Sequence, residues 1–198
     1  MGVAIGSLAR VARTPGRAQT MIVLAATVMT IGGLSWAVTS GSDDGITSVS
    51  VVGNLAVEPP TIGKPPTRFT GVGYDGKPIS LANYAGKPLW LTFGASWCRD
   101  CRVEAADLEA TYEQFQGRGL NVLAVFINDP PADIARYAGL ARLTFPIIAD
   151  QSTKIAGAYR LVGIPTHIFI GADGLIKDIR IGALSKADMG QAVAEIVP

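Results

Sequence analysis

Two cysteines three positions apart, Cys98 and Cys101, are the only cysteines in the chain. The apolar run before them predicts a buried strand over residues 88–95, and a helix is predicted to begin at Cys98. In the first turn of a helix, unpaired backbone N–H groups and the positive end of the dipole favour a thiolate over a thiol. One helical turn also brings side chains at this spacing close enough to form a disulfide. The pair is therefore predicted to be a reversible redox switch in which Cys98 attacks a disulfide and Cys101 resolves the mixed disulfide.

Two other roles for the cysteine pair have less support. A structural disulfide across so short a loop removes little entropy from the unfolded chain and joins no distant segments. A zinc site requires about four ligands. The chain offers two cysteines and a single histidine, His167, so only a site shared between subunits would be complete. The composition therefore favours thiol–disulfide redox chemistry.

The overall composition is that of a chain with one hydrophobic core. With 198 residues, 48% of them hydrophobic, it can bury one core of ordinary size. The formal net charge of +1 hides an asymmetry, because three arginines, Arg10, Arg13 and Arg17, are the only charges before Asp43. The rest of the chain has a small acidic excess. No nucleic-acid partner is expected from this charge pattern.

Residues 21–38 form an uncharged apolar stretch close to the roughly 20 residues that a helix needs to cross a bilayer. The arginines before it and the aspartates after it place residues 1–20 in the cytoplasm and the later chain outside. Ser35 and Ala37 match the small residues of a signal cleavage site, but the stretch is longer than a usual signal core. Its length favours an uncleaved single-pass anchor. The cysteines are then expected on the extracytoplasmic, periplasmic side of the cell membrane.

The remaining chain divides into a linker and a folded domain. Residues 39–60 are rich in Ser, Gly, Thr and Pro and are interpreted as a linker, within which residues 46–57 fit either a strand or an extended tether. Residues 61–198 are interpreted as the domain. A hairpin is predicted over residues 68–72 and 78–80, with one helical turn at 80–84.

Beyond the cysteine helix, which is predicted to end near Gln116, strands and helices alternate. Strands are predicted at 120–127, 146–149, 166–170 and 175–181, and helices at 130–140, 152–159 and 186–196. Asp129 and Ser185 are predicted to cap the helices that follow them. Alternation that ends in a hairpin predicts an α/β layer fold with a mixed central sheet.

Motifs in this order resemble a known family. A strand, a Trp-Cys-x-x-Cys helix, a further strand and helix, and the sequence Gly-Ile-Pro-Thr at 163–166 resemble the thioredoxin fold. Ile-Gly-Lys-Pro-Pro at 62–66, Asp-Gly-Lys-Pro-Ile-Ser-Leu at 75–81 and Gly-Lys-Pro at 86–88 resemble the N-terminal hairpin of membrane-anchored TlpA/ResA-type thiol–disulfide oxidoreductases. The resemblance covers about residues 60 to 195. It implies a thioredoxin-like fold with a mixed central sheet, an N-terminal β-hairpin extension and a single N-terminal transmembrane helix.

The resemblance also implies roles for residues around the cysteines. Trp97 flanks the active site in such proteins, and Ile164 and Pro165 contact the substrate, with Pro165 following a cis peptide bond. Pro165 is also consistent with a proline that starts a strand. Glu104 corresponds to an acidic residue that assists proton transfer, although a solvated glutamate in the first helical turn fits the sequence as well.

Three positions depart from the family pattern. Asp100 precedes the second cysteine where relatives usually have proline, and Ala106 stands where a second proline is common. Thr92 occupies the position at which thioredoxins themselves keep a buried aspartate, so that proton acceptor is missing. On the same helix, Glu109 and its charged neighbours are interpreted as a solvent-exposed face.

The predicted activity is the reduction of disulfides in extracytoplasmic client proteins. The resemblance implies clients of the cytochrome c or copper-site assembly type. Because the pair is expected outside the membrane, where disulfides accumulate, a membrane-embedded electron donor is expected to restore the dithiol. No cofactor is expected, because the two sulfurs carry the electrons.

Two alternatives are weighed against this prediction. A copper- or zinc-handling protein would use Cys98, Cys101 and His167 as ligands, although a lone histidine in an apolar strand is more often part of the core. A peroxide-reducing enzyme of related fold would require proline and a hydroxyl residue ahead of the cysteine, where this chain has Leu91 and Ala95.

Overall fold

The structure is a computed structural model, and it describes residues 50–52 and 58–198 of the chain. The predicted cytoplasmic tail, the anchor at 21–38 and most of the linker lie outside the described residues. Within the described part, no helix combines the length and apolar character needed to span a bilayer.

The described elements follow the predicted alternation of strands and helices. The strands are β1 Ser50–Val52, β2 Arg68–Val72, β3 Pro78–Ser80, β4 Leu89–Gly94, β5 Asn121–Ile127, β6 Ile147–Asp150, β7 Thr166–Ile170 and β8 Ile176–Ile181. The helices are α1 Arg99–Phe115, α2 Pro131–Ala141, α3 Lys154–Ala158 and α4 Lys186–Ala194, with 3-10 turns at Leu81–Tyr84 and Gln116–Arg118.

A five-stranded mixed sheet forms the centre of the domain, in the order β6-β5-β4-β7-β8. Strands β4, β5 and β6 run parallel, whereas β7 and β8 are antiparallel to their neighbours. Every residue of β4 is buried, as its unbroken apolar sequence predicts for a strand covered on both faces. The predicted mixed sheet is therefore confirmed.

A three-stranded sheet precedes the central one, and β1 pairs antiparallel with β2, which pairs with β3. A strand or an extended tether is predicted for residues 46–57, and a strand is observed at Ser50–Val52. The hairpin is joined to β6, because Tyr74 N–H donates to the Ile147 carbonyl at 3.1 Å. Packing is close here, since a Cβ added to Gly71 would lie 2.7 Å from the Ile148 side chain.

Two apolar clusters cover the two faces of the sheet. One packs Trp90, Phe126 and Phe169 against α1, α2 and α4. The other packs Phe93 and neighbouring strand residues against the hairpin and α3. The sheet is thus a middle layer, and the carboxyl end of β4 projects towards the start of α1.

Two cap predictions have different outcomes. Ser185 caps α4, since its hydroxyl accepts from Asp188 N–H at 3.2 Å. The prediction for Asp129 is wrong, because Pro130 occupies the N-cap of α2 and no side chain caps that helix end.

The solvent-exposed interpretation of Glu109 is also wrong. Its carboxylate is buried and accepts hydrogen bonds from the Thr144 backbone N–H at 3.0 Å and from the Thr144 hydroxyl at 2.5 Å. A helix-face pattern did not indicate this contact, because the partner lies in a loop 35 residues away.

Candidate active site

The two cysteines lie where β4 ends and α1 begins. Cys98 is the N-cap of α1 rather than its first helical residue, and its sulfur accepts the Cys101 backbone N–H at 3.2 Å. The two residues form a disulfide with Cα atoms 5.3 Å apart. An N-cap sulfur receives an otherwise unpaired helix N–H, which favours a thiolate at Cys98 once the disulfide is reduced.

The disulfide is largely covered by protein. Cys98 is 7% exposed and Cys101 6% exposed, and both pack with Ala95 and Ile164. Gly94 lies next to Cys101, since a Cβ at this position would be in van der Waals contact with the Cys101 sulfur at 3.4 Å. Access to the sulfurs is therefore confined to one small surface.

Asp129 holds the loop that leads into Cys98. Its buried carboxylate accepts Ser96 N–H at 2.5 Å and the Ser96 hydroxyl at 2.9 Å. The Trp97 indole N–H donates to the Asn128 carbonyl at 3.2 Å. The backbone of Asn128 is in the left-handed region, with φ of 48°. The junction after β5 therefore fixes both residues before Cys98.

Sequence reasoning missed this role of Asp129. The available signal was its position directly after β5, since β5 runs parallel to β4 and both carboxyl ends meet at one edge of the sheet. The Asp-Pro-Pro sequence favoured a helix cap instead.

The Ile164–Pro165 segment lies beside the disulfide. Its peptide bond is cis, as the family resemblance implies, and Ile164 packs against both cysteines. The Pro165 carbonyl accepts Gly182 N–H at 2.8 Å, which ties the segment to the end of β8. The structure therefore brings Ile164 and Pro165 to the redox pair.

Glu104 lies behind the disulfide and is buried, with only 3% of its surface exposed. The solvated interpretation is therefore wrong, because Glu104 Oε2 accepts the Leu184 backbone N–H at 3.0 Å. Glu104 and Cys101 both line a cavity of about 20 Å³, together with Thr92 and Tyr137. A volume of this size accommodates about one water molecule.

Tyr137 bonds to the backbone of Cys101 and lines the same cavity as Glu104. Its hydroxyl donates to the Cys101 carbonyl at 3.3 Å. Burial raises the pKa of Tyr137 to about 12, the negative charge of Glu104 adds to the rise, and Arg102 opposes it. The phenol is therefore a hydrogen-bond donor at every physiological pH.

His167 lies in β7 opposite Thr92 of β4 and is completely buried. Its Nδ1 accepts the Trp90 indole N–H at 3.2 Å, and the Thr92 hydroxyl lies 3.1 Å from the same nitrogen. Its Nε2 lies 3.4 Å from Glu104 Oε2.

The metal-handling alternative gains no support from this arrangement. His167 directs its two nitrogens at Trp90 and Glu104, and Cys98 and Cys101 are bonded to each other. Over residues 50–52 and 58–198, no three His, Cys, Asp or Glu side chains are grouped so that they could hold a metal ion.

Comparisons with known proteins agree with this geometry. The model of the AhpC/TSA family matches residues 62–179. The thiol-disulfide oxidoreductase ResA of Geobacillus thermodenitrificans (strain NG80-2) is 32% identical over 124 residues, covering 63% of this chain and 71% of that protein. A thiol:disulfide interchange protein of the thioredoxin family from Chlorobium tepidum TLS has a TM-score of 0.63 and 27% identity, covering 69% of this chain and 97% of its own.

A further solved structure has a similar fold. A secreted disulfide oxidoreductase from Mycobacterium tuberculosis, described as homologous to E. coli DsbE, has a TM-score of 0.60 at 23% identity, covering 64% of this chain and 95% of its own. At this identity the likeness concerns the fold alone. Together these similarities confirm the predicted thioredoxin-like fold and the resemblance to ResA-type proteins.

Proposed function

The chain belongs to the AhpC/TSA family and is a thiol–disulfide oxidoreductase with a Cys-x-x-Cys active site, and from that premise we propose that it reduces disulfides of client proteins outside the cytoplasm. The observation that carries this proposal is the position of Cys98. Its sulfur lies at the N-cap of α1, within 3.2 Å of a backbone N–H that stabilises a thiolate.

The reaction proceeds by two thiol–disulfide exchanges. The Cys98 thiolate attacks a client disulfide, forms a mixed disulfide, and releases the first client sulfur as a thiolate that takes a proton from solvent. Cys101 then loses its proton and attacks Cys98. This step forms the Cys98–Cys101 disulfide, breaks the bond to the client, and releases the second client sulfur with the electron pair. The client gains two electrons and two protons, and the enzyme dithiol is oxidised.

Glu104 is the proposed acceptor of the Cys101 proton. Thioredoxins themselves have a buried aspartate at the position of Thr92, so this chain requires another base. Glu104 lines the same small cavity as Cys101 and is buried with it. A carboxylate placed here is suited to general-base assistance.

The client is proposed to bind across Trp97, Ile164 and Pro165. Trp97 is 54% exposed directly before the nucleophile, although aromatic side chains of its size are usually covered. Val162 and Ile181 are also exposed, and Ile181 pairs with Thr166 at the start of β7, next to Pro165. An apolar surface around a covered disulfide favours an unfolded or extended client segment over a small polar thiol.

The proposed location is the extracytoplasmic side of the cell membrane, with residues 21–38 as a single-pass anchor and residues 1–20 in the cytoplasm. The charge distribution around the apolar stretch supports this orientation. Disulfides accumulate outside the cytoplasm, so a reductase there requires a source of electrons. We therefore assign re-reduction to a membrane-embedded donor.

Clients of the cytochrome c or copper-site assembly type are proposed on the family resemblance. Both kinds of client must keep cysteine thiols reduced in an oxidising compartment before their cofactor or metal is bound. A peroxidase function is not proposed, because Leu91 and Ala95 replace the proline and hydroxyl residue that peroxide reduction requires.

The experiment that tests the proposal is covalent trapping in the native host. Full-length Cys101→Ala is expected to accumulate a mixed disulfide with its client through Cys98, and Cys98→Ala provides the matched control without the attacking sulfur. Captured proteins that contain cysteine pairs for haem or copper support the proposal. Capture of proteins that reside in the cytoplasm contradicts it.

A further inference from the structure

We propose that His167 is a positioning residue of the redox reaction, which holds the Glu104 carboxylate ready to take the Cys101 proton. The inference rests on the proposed roles of Cys101 as resolving thiol and Glu104 as proton acceptor. It gives the buried His167 a role in the reaction, in which the proposed exchange steps do not otherwise involve it. His167 does not contact the sulfurs, so its effect acts through Glu104.

The partners of His167 determine where its proton lies. The indole N–H of Trp90 can only donate, and it points at His167 Nδ1 at 3.2 Å. On this ground we assign His167 Nδ1 as the accepting nitrogen, with the Thr92 hydroxyl, 3.1 Å from the same atom, as a second donor to it. The neutral ring then carries its proton on Nε2, on the side that faces Glu104.

A second observation concerns the Nε2 atom of His167. It is buried, and within the described residues it has no hydrogen-bond partner of good geometry, although Glu104 Oε2 lies 3.4 Å away. Because the two atoms are already this close, a small reorientation of either side chain would complete a hydrogen bond between them. A buried donor left unpaired is unfavourable, so its retention beside a carboxylate next to the redox pair calls for a functional reason.

The two oxygens of Glu104 then have different tasks. Oε2 receives Leu184 N–H at 3.0 Å and faces His167 Nε2–H, so it is occupied by donors. The proton from Cys101 is therefore taken up by Oε1. His167 and Leu184 thereby hold the carboxylate in one orientation, with Oε2 engaged and Oε1 left for the proton.

The proton balance of the resolving step is complete. The Cys101 S–H bond breaks and an O–H bond forms on Glu104, while the Cys101 sulfur displaces the client from Cys98. Glu104 later returns the proton to solvent. His167 keeps its Nε2 proton throughout and undergoes no net change.

Charged and titratable groups from several elements lie around this pair, including Arg180 of β8, which is paired with His167 in the sheet. Tyr137 from α2 and Cys101 from α1 line the cavity with Glu104, and Arg102 lies close enough to influence Tyr137. Strand β4 contributes the neutral groups Trp90 and Thr92. Burial raises the pKa of Tyr137 to about 12, so this phenol keeps its proton at neutral pH.

Stopped-flow reaction of the reduced protein with the small disulfide DTNB separates the two exchanges. The first release of thionitrobenzoate reports attack by Cys98, and the second reports resolution by Cys101. We expect His167→Leu to slow the second phase about tenfold or more at pH 7 and to leave the first within about twofold. His167→Gln, whose amide can accept from Trp90 and donate to Glu104, is expected to restore the second phase to within about threefold of wild type.

A double-mutant comparison tests whether His167 acts through Glu104. In a Glu104→Gln background, His167→Leu is expected to have no further effect on the second phase, because the base is already absent. Ile170→Val, a buried change farther along β7, is the matched control for a loss of packing. It is expected to leave both phases unchanged.

Nitrogen-15 NMR of the imidazole reports which ring nitrogen carries the proton, a property that a purely structural role of His167 in packing does not determine. The chain contains one histidine, so an untagged, histidine-labelled protein gives a single ring to assign. At pH 8 the wild type is expected to be protonated at Nε2 and unprotonated at Nδ1. This measurement does not depend on whether any variant folds.

Three results would overturn the inference: a proton on Nδ1, a second phase that His167→Leu leaves unchanged, or equal slowing of both phases in that variant. These differ from failure of the proposed function. If the wild-type dithiol shows both DTNB phases with the expected dependence on His167 but reduces no extracytoplasmic client, the client proposal is wrong and the role of His167 stands. If clients are reduced and the second phase is insensitive to His167, only this inference fails.

Discussion

Asp129, the second residue after β5, accepts hydrogen bonds from both the backbone N–H and the hydroxyl of Ser96, two residues before Cys98. The carboxylate is buried, and Ser96 is its partner for both oxygens. The loop that leads into Cys98 is thus anchored next to the neighbouring strand of the sheet. Its geometry depends on β5 as well as on the helix that follows it.

The first prediction concerns this anchor. Asp129→Ala leaves Ser96 N–H without its acceptor in a partly buried loop, and we expect the free energy of unfolding to fall by about 1–3 kcal/mol. Asp129→Asn is expected to lose less, because its amide oxygen can still accept that N–H. Urea unfolding of the oxidised protein measures both changes.

The control for Asp129 is Asp133→Ala. Asp133 forms an exposed ion pair with Arg136, and such pairs contribute little. We expect its removal to change the free energy of unfolding by no more than about 0.5–1 kcal/mol. Equal losses in Asp129→Ala and Asp133→Ala would contradict the anchoring role.

The sequence predicted the inner strands β4, β5 and β7 well, because they are almost entirely buried and mostly apolar in sequence. The predicted strand at 166–170 coincides with Thr166–Ile170, and the strand at 88–95 differs by one residue at each end from Leu89–Gly94. Local turn and cap patterns also located the hairpin and the start of α4. These features are set by neighbours close in sequence.

The polar contacts of the site were not predictable in the same way. Glu104 and His167 are 63 positions apart and meet because α1 lies over β7, and Ser96 and Asp129 meet across adjacent strands. A periodic pattern shows which face of an element is apolar, but not which distant group satisfies a polar side chain. Burial of Glu104 and Glu109 was missed for this reason.

A second prediction follows from the hydroxyl of Tyr137. Its pKa is raised to about 12 in the folded protein, whereas an unfolded tyrosine titrates near 10. The unfolded state therefore loses this proton first, so the contribution is present below about pH 10 and is lost as the pH rises to about 12. Allowing for solvent screening of a half-buried group, we expect a loss of about 1–2 kcal/mol over this window.

Tyr137→Phe isolates this contribution. Tyr159 also has a pKa raised by burial and weakens the fold at high pH in the same direction. We therefore compare the free energy of unfolding in urea of wild type and of Tyr137→Phe at pH 9 and at pH 11. The contribution of Tyr159 is the same in both proteins and cancels in the difference. If the two proteins lose stability in parallel, the phenol of Tyr137 is not held in its neutral form by the fold.

A third prediction assigns the two cysteines. Cys98→Ser is expected to show no thionitrobenzoate release with DTNB in the rapid phase and no reduction of a client disulfide, because the N-cap thiolate is absent. Cys101→Ser is expected to release one equivalent and to stop at the mixed disulfide. Mass spectrometry of the product identifies the modified sulfur. Modification at Cys101 in the wild type before Cys98 would reverse the assignment.

The last prediction separates client binding from sulfur chemistry. Trp97 is exposed beside Cys98, and the exposed Val162 lies two residues before Ile164, which packs with the disulfide. A client protein that binds across this surface contacts both side chains, whereas DTNB is too small to require them. We expect Trp97→Ala and Val162→Ser each to lower kcat/KM for a protein disulfide about threefold to tenfold, corresponding to about 0.6–1.4 kcal/mol of lost binding.

In the same variants, the first DTNB phase is expected to stay within about twofold of wild type, because Cys98 keeps its N-cap contact. Leu140→Ser is the matched control, since Leu140 is 80% exposed near the end of α2, away from the carboxyl ends of the strands. Loss of protein-disulfide reduction in this control would show that exposed apolar area anywhere on the domain binds the client. A loss confined to Trp97 and Val162 locates binding at the rim of the disulfide, where a client sulfur must approach Cys98 for in-line attack.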